Sequence, residues 1–183
     1  MVNCIKYNLR GTCNYMETTH TISRREAAYM ECALEEAGKS PCLFRHGAVG
    51  VVNGRILARG HNTYRTHSSD KFIRNCCTCH AEISVLRQIF KRNNPTYAPF
   101  HCGHIPRKAR QEFKKVVLYV TRQTNQNVIK PSAPCTDCMK LIRVLNIKRI
   151  VYSDENMTIS TTTPANFTTT HKTHGYNHLT RCA

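Results

Sequence analysis

The chain has 183 residues, with 27 Lys and Arg against 11 Asp and Glu, a net charge of +16 with its ten histidines neutral, and it holds eleven cysteines and no tryptophan. A chain of this length buries about 70% of the surface its unfolded form exposes, so a hydrophobic core suffices without a disulfide scaffold, and 40% apolar residues with few Pro and Gly exclude a disordered or collagen-like chain. No run approaches the roughly 18 apolar residues of a membrane span, and Lys6 and Arg10 interrupt the place where a secretory signal needs its apolar centre.

A cytoplasmic protein with no membrane contact is the expectation, its cysteines being thiols, packing residues or metal ligands. The positive surplus points to a phosphorylated partner, a nucleotide or a nucleic acid. Residues 1–22 read as an N-terminal extension. Ser23-Arg24-Arg25-Glu26 then carries both halves of a capping box. Ala27, Met30, Leu34 and Ala37 follow at helical spacing, so a helix is predicted to end at Gly38 with Pro41 beyond it.

Ala48 to Val52 and Arg55 to Ala58 are apolar runs joined by Asn53-Gly54, the pair best able to supply positive φ at both turn positions. A tight hairpin is predicted. His80 to Arg92 reads as a second helix, with Ile83, Leu86 and Phe90 on one face and Val85 and Ile89 widening it. Val116 to Thr121 and Ile147 to Tyr152 are rich in β-formers and read as strands. Between them, Cys138, Leu141, Ile142 and Leu145 mark a third helix over Cys135 to Asn146. This order predicts a layered α/β domain over residues 23–157.

Two stretches fall outside the pattern. Asn93 to Lys115 is a basic insertion, and residues 158–183 form a Thr- and His-rich tail with His171, His174 and His178. Ile83 to Ile150 holds fourteen Lys and Arg against two acids, so most of the net charge sits there.

His80-Ala81-Glu82 opens the second helix and Pro134-Cys135-Thr136-Asp137-Cys138 opens the third. The two patterns occur together by chance about once in a hundred chains of this composition. Zinc accepts imidazole and thiolate ligands tetrahedrally, and a catalytic site keeps one position for water. Cys135 and Cys138, three apart on a first helical turn, share a face, and the helix N-terminus favours their thiolates. His80 supplies a third ligand, which leaves the Glu82 carboxylate for proton transfer. Cys76 and Cys79 could instead join Cys135 and Cys138 in a structural zinc site, but 55 residues intervene between Cys79 and Cys135, where a zinc ribbon has about 15 to 20.

These motifs resemble the zinc-binding signature of the cytidine and deoxycytidylate deaminase family. The resemblance extends over about Ser23 to Asp154, through Gly47-Ala48-Val49 with Arg55 to Asn62, the strand Tyr119-Val120-Thr121 and the strand Lys148 to Tyr152. His80 to Ile83 with Leu86-Arg87-Gln88 is also similar to the tRNA adenosine deaminase branch. The resemblance implies a three-layer α/β/α sandwich around a mixed five-stranded sheet and hydrolytic loss of ammonia from a nucleobase. It implies zinc ligands His80, Cys135 and Cys138 with a water completing the shell, and Glu82 as the group that moves protons. It also implies substrate contacts at Asn62, Ala81 and Pro134. The chain departs from the family in the long separation of His80 from Cys135 and in a tail without an evident last helix.

Cys76, Cys79, His101 and His104, with Cys77 and Cys102 nearby, could hold a second, structural zinc. The first expectation for substrate is cytosine in a free nucleotide such as dCMP, its phosphate met by Arg45, Arg65 or Lys71, in a homo-oligomeric enzyme of nucleotide metabolism. The alternatives are a deaminase of tRNA, other RNA or single-stranded DNA, and a catalytically silent zinc module that binds nucleic acid.

Overall fold

The computed structural model describes residues 5–9, 12–16, 22–74, 76–93, 100–101 and 105–173, the first two stretches as backbone. Two short strands, β1 (Ile5–Leu9) and β2 (Thr12–Met16), pair as an antiparallel hairpin. Helix α1 (Arg24–Gly38) begins at the expected capping box: the Glu26 amide donates to Ser23 Oγ at 3.2 Å, and the Ser23 amide donates to the Glu26 carboxylate at 3.1 Å.

Strands β3 (Arg45–Val52) and β4 (Arg55–His61) form the predicted hairpin. Asn53 at φ 49° and Gly54 at φ 75° make its turn, and Tyr29 of α1 donates to the Gly54 carbonyl at 2.7 Å. Helix α2 (Ala81–Arg92) and helix α3 (Arg107–Phe113) precede β5 (Val117–Gln123). Then come β6 (Ile129–Lys130), helix α4 (Thr136–Leu145), β7 (Arg149–Ser153) and β8 (Ile159–Thr162).

The main sheet runs in the order β4-β3-β5-β7-β8. It is mixed, since β5 and β7 are parallel and the other neighbours antiparallel. Five is the number of strands the resemblance implies, and four of them match runs placed in the sequence; the two-residue β6 adds a sixth by folding back on the end of β5. The tail contributes β8, so Ile159–Thr162 of the Thr-rich segment belong to the sheet. Alternation of side chains along β5 explains the layers. Val117 and Tyr119 face α1, with Tyr29, Met30 and Ala33. Leu118 and Val120 face the other way, onto Val85, Leu86 and Ile89 of α2 and Ile142 and Leu145 of α4. Each fully buried Leu, Ile or Phe in these layers contributes about 2 kcal/mol of hydrophobic stabilisation.

Helix α3 lies inside the basic insertion and was not expected. Its only apolar residues are Ala109 and Phe113, four apart and fully buried, against three exposed Arg and Lys. One such pair is too little periodicity to read as a helix. None of the described helices is long and apolar enough to cross a membrane.

Candidate metal centre and active site

Strands β4 and β5, both antiparallel to β3, run the same way, and the segments that follow them bring the N-termini of α2 and α4 together at one end of the sheet. His80 is the N-cap of α2 and Cys135 the N-cap of α4, each with extended backbone. Cys138 lies in the first turn of α4. Nδ1 of His80 is 3.1 Å from Sγ of Cys138 and 3.4 Å from Sγ of Cys135. The three donor atoms lie within 4.8 Å of one another, and both cysteines are buried. One imidazole and two thiols converging from two helix starts fit a zinc ion with one position left open.

The electrostatics of the cluster favour thiolate against imidazolium. Hydrogen bonding from Cys138 and His80 pulls the Cys135 thiol down to about 4 despite burial. Burial opposes charge on His80, but the hydrogen bond to Cys135 and the charges of Glu82 and Cys135 raise it to about 9. Cys138 is pushed well up by its bond to Cys135 and by burial, so the pair shares one proton. The Glu82 carboxyl is buried, reaches Cys138, and is raised by desolvation above the ordinary carboxylate range. A carboxyl so placed is a stronger base than an exposed one.

Each donor is held by its neighbourhood. Thr63 and Cys79 pair through two backbone hydrogen bonds, 3.0 and 2.9 Å, which fix His80 beside the end of β4. The loop before His80 is tied to α2 through Asp70, which accepts from Arg87 Nε at 2.7 Å, Ser68 Oγ and the Phe72 amide. Before Cys135, Ser132 donates through Oγ to the Val120 carbonyl at 2.8 Å and meets Ser153 Oγ at 2.8 Å, mooring that segment to β5 and β7. The tail returns here as well, the Thr136 amide donating to the His171 carbonyl at 3.0 Å.

Asn62 is buried, and its amide oxygen accepts from Ser40 Oγ at 2.7 Å and the His46 amide at 2.8 Å. Its Nδ2 donates to the Phe44 carbonyl at 2.8 Å. Asn62 therefore latches the start of β3 to the end of β4, and one N–H of its amide lies outside these bonds. Ala81 is the first residue of α2 and fully buried; Pro134 is buried directly before Cys135. His46 went unnoticed in the sequence. Burial lowers its imidazole to about 4 although Nδ1 lies 3.2 Å from the Phe44 carbonyl, and it senses the charges of His80 and Cys135. A histidine opening the hairpin beside Gly47-Ala48 was the available signal.

Among the described residues, Cys76, Cys79 and His101 do not gather into a second cluster of three donors. Cys76 Sγ faces the carbonyls of Arg65 and Thr66, and burial drives the Cys79 thiol up to about 12 while it faces the His80 carbonyl. His104 and Cys102 lie outside the described residues, as do His174 and His178. A cavity of about 340 Å³ flanks the metal centre, touching His80 and Cys138 but not Glu82, Asn62 or Pro134. Ile83 and Leu141 form its apolar wall and Lys71, Arg74 and Lys140 its basic residues.

A family model described as the cytidine and deoxycytidylate deaminase zinc-binding region matches residues 23–154. Among solved structures, a cytidine deaminase from Burkholderia pseudomallei is similar at 17% identity and a TM-score of 0.50, over 79% of this chain and 95% of that one. A dCMP deaminase from the cyanophage S-TIM5 matches at 23% identity and a TM-score of 0.46, over 88% and 94% of the two chains. A cytidine deaminase from Mycobacterium tuberculosis matches at 14% identity and a TM-score of 0.38, over 69% and 81%. A search of curated protein sequences finds no match.

Proposed function

The chain belongs to the cytidine and deoxycytidylate deaminase family, and from that membership we propose that it hydrolyses the exocyclic amine of cytosine in a free nucleotide such as dCMP, releasing ammonia. The observation that carries this reading is the meeting of His80, Cys135 and Cys138 at two helix N-termini with the buried Glu82 carboxyl against them. Zinc held by the three donors supplies the Lewis acidity that makes water a nucleophile near neutral pH.

Glu82 takes the proton that water loses and delivers it to the ring nitrogen as oxygen bonds to the amine-bearing carbon. A second proton passes through the same carboxyl to the departing amine, so water and cytosine become ammonia and uracil. Burial serves this exchange, because desolvation raises the Glu82 carboxyl and makes it a stronger base for the proton that water loses. Asn62 offers its remaining N–H to a sugar hydroxyl, and the backbone at Ala81 and Pro134 borders the base. Lys71, Arg74 and Lys140, close to the metal donors, supply positive charge for a phosphate. The enzyme is assigned one catalytic zinc.

Purified zinc-loaded protein is to be assayed for ammonia release from cytidine, dCMP, tRNA and single-stranded DNA. Turnover of dCMP is expected, with Glu82→Gln losing at least about 10³-fold in kcat while retaining zinc. Full activity in Glu82→Gln would overturn the mechanism, and turnover confined to tRNA or DNA would overturn the substrate.

A further inference from the structure

A depression of about 570 Å³ lies at the opposite end of the sheet from the metal centre. The first turn of α1, the Asn53-Gly54 turn and the residues entering β5 and β7 surround it. Besides Arg149, which is paired with Glu26, four cations line it: Arg25 on α1, Lys114 and Lys115 between α3 and β5, and Lys148 before β7. All four are exposed, and among the described residues none has a carboxylate within 4.0 Å. The one acid in the lining, Glu26, is already matched by Arg149 at 2.6 Å and by Ser23.

Some basic residues elsewhere are paired with acids, as Lys39 is with Glu36, Arg59 with Glu35 and Arg87 with Asp70. Cations of one sign left together repel one another and concentrate a field that attracts anions. The field also extends beyond the depression, because Arg107, Lys108 and Arg110 are exposed on α3, which leads directly into Lys114. Four cations without an acid around one depression, with Arg107, Lys108 and Arg110 on the helix that leads into Lys114, exceed what one small anion needs and match a repeating one.

We propose that this face docks the phosphodiester backbone of a nucleic-acid strand. Recognition here is by charge and not by base, since the two aromatic rings of the depression, Tyr29 and Tyr119, are buried and offer no stacking surface. The site is separate from the chemistry. The seven residues of β5 put about 20 Å between the two ends of the sheet, and the depression opens on the α1 face while α2 and α4 carry the metal donors on the other. The proposal therefore does not rest on the deaminase reading.

Fluorescence anisotropy of a labelled mixed-sequence DNA strand of about 20 nucleotides, read with the zinc-loaded full chain from about 50 to 200 mM salt, tests it. Four phosphate contacts give a log–log salt slope of about −2.8. Lys115→Glu with Lys148→Glu should weaken binding at least about tenfold and flatten the slope by about 1.4. Lys39→Glu with Lys130→Glu, the same charge change at the other end of the sheet, should weaken it less than about threefold, because distant charges are screened. Thermal unfolding checks that the variants fold, and Lys115→Gln with Lys148→Gln, expected to weaken binding at least about fivefold, replaces a reversal that does not. Glu82→Gln should bind the strand with unchanged affinity, so loss of the deaminase reading and loss of this one are told apart. Absence of binding, equal losses in the two double variants, or displacement of the strand by tripolyphosphate at equal phosphate concentration would each overturn the proposal.

Discussion

Nδ1 of His80 lies 3.1 Å from Sγ of Cys138, across 58 positions of chain. That contact joins the starts of α2 and α4, so an ion bound there ties two helices together as well as serving chemistry. Cys138→Ala is expected to lower zinc to well under one ion per chain by metal analysis and to remove turnover. Metal held only by the folded state stabilises it by about 2.7 kcal/mol at a hundredfold excess over Kd. Chelation should then lower Tm by about 5 to 10 °C for a chain of this size, measured by calorimetry. Undiminished zinc in Cys138→Ala would move the metal to other ligands.

Arg87 on α2 holds Asp70 in the loop that leads to His80, with Nε 2.7 Å from Oδ2 and little of either side chain exposed. Arg87→Ala leaves the carboxylate with only Ser68 and the Phe72 amide, at a cost of about 2 to 4 kcal/mol. Burial opposes the Asp70 charge, but Ser68, Phe72 and Arg87 outweigh it and hold the carboxyl below its ordinary 3.8. The stabilisation is thus complete above 3.8 and lost as pH falls through the lowered value. Urea unfolding of wild type and variant should differ most at neutral pH and converge in acid. A difference that does not shrink would mean the arginine acts through packing alone.

Local signals carried the parts of the fold that local physics decides. The capping box set the start of α1, Asn53-Gly54 set the hairpin, and the spacing of Cys135 and Cys138 put both thiols on one helical turn. What escaped depends on partners distant in the chain. Helix α3 exists because Ala109 and Phe113 find a core prepared by α2 and the sheet. β8 exists because β7 offers an edge to Thr-rich residues that have strand propensity but no apolar alternation. Ser132 and Ser153 are unremarkable in sequence, and their mooring role appears only when β5 and β7 lie side by side. His46 was hidden for the same reason, its character coming from burial and from charges over thirty positions away.

Gly47 lies where β3 meets the backbone of α1. A Cβ there would stand 2.0 Å from the Ala33 carbonyl oxygen and 2.2 Å from the Ala37 nitrogen. Neither contact is with a side chain that can turn aside, so Gly47→Ala must push the helix off the sheet. A loss of about 3 kcal/mol or more is expected, read by chemical denaturation. The shift should also reduce turnover, because His46 and Asn62 flank this residue in the sheet. Stability within about 0.5 kcal/mol of wild type would mean that α1 sits further out than described.

His46 is the group through which acid should weaken the fold near the active site. Burial outweighs its hydrogen bond to the Phe44 carbonyl and lowers the imidazole from 6.5 to about 4. Between those values the unfolded chain holds a proton that the folded chain rejects, so stability rises with pH. The contribution is whole above 6.5 and lost as pH falls to about 4, and the full shift corresponds to about 3 kcal/mol. A cation bound by His80 and the two cysteines acts on His46 in the same direction. His46→Gln keeps a donor for the Phe44 carbonyl but cannot titrate. Urea unfolding between pH 4.5 and 7.5 should therefore give a shallower rise in the variant, the difference being largest from pH 4.5 to 6.5. Parallel curves would assign the acid sensitivity to other groups and leave His46 uncharged by its surroundings at no measurable cost.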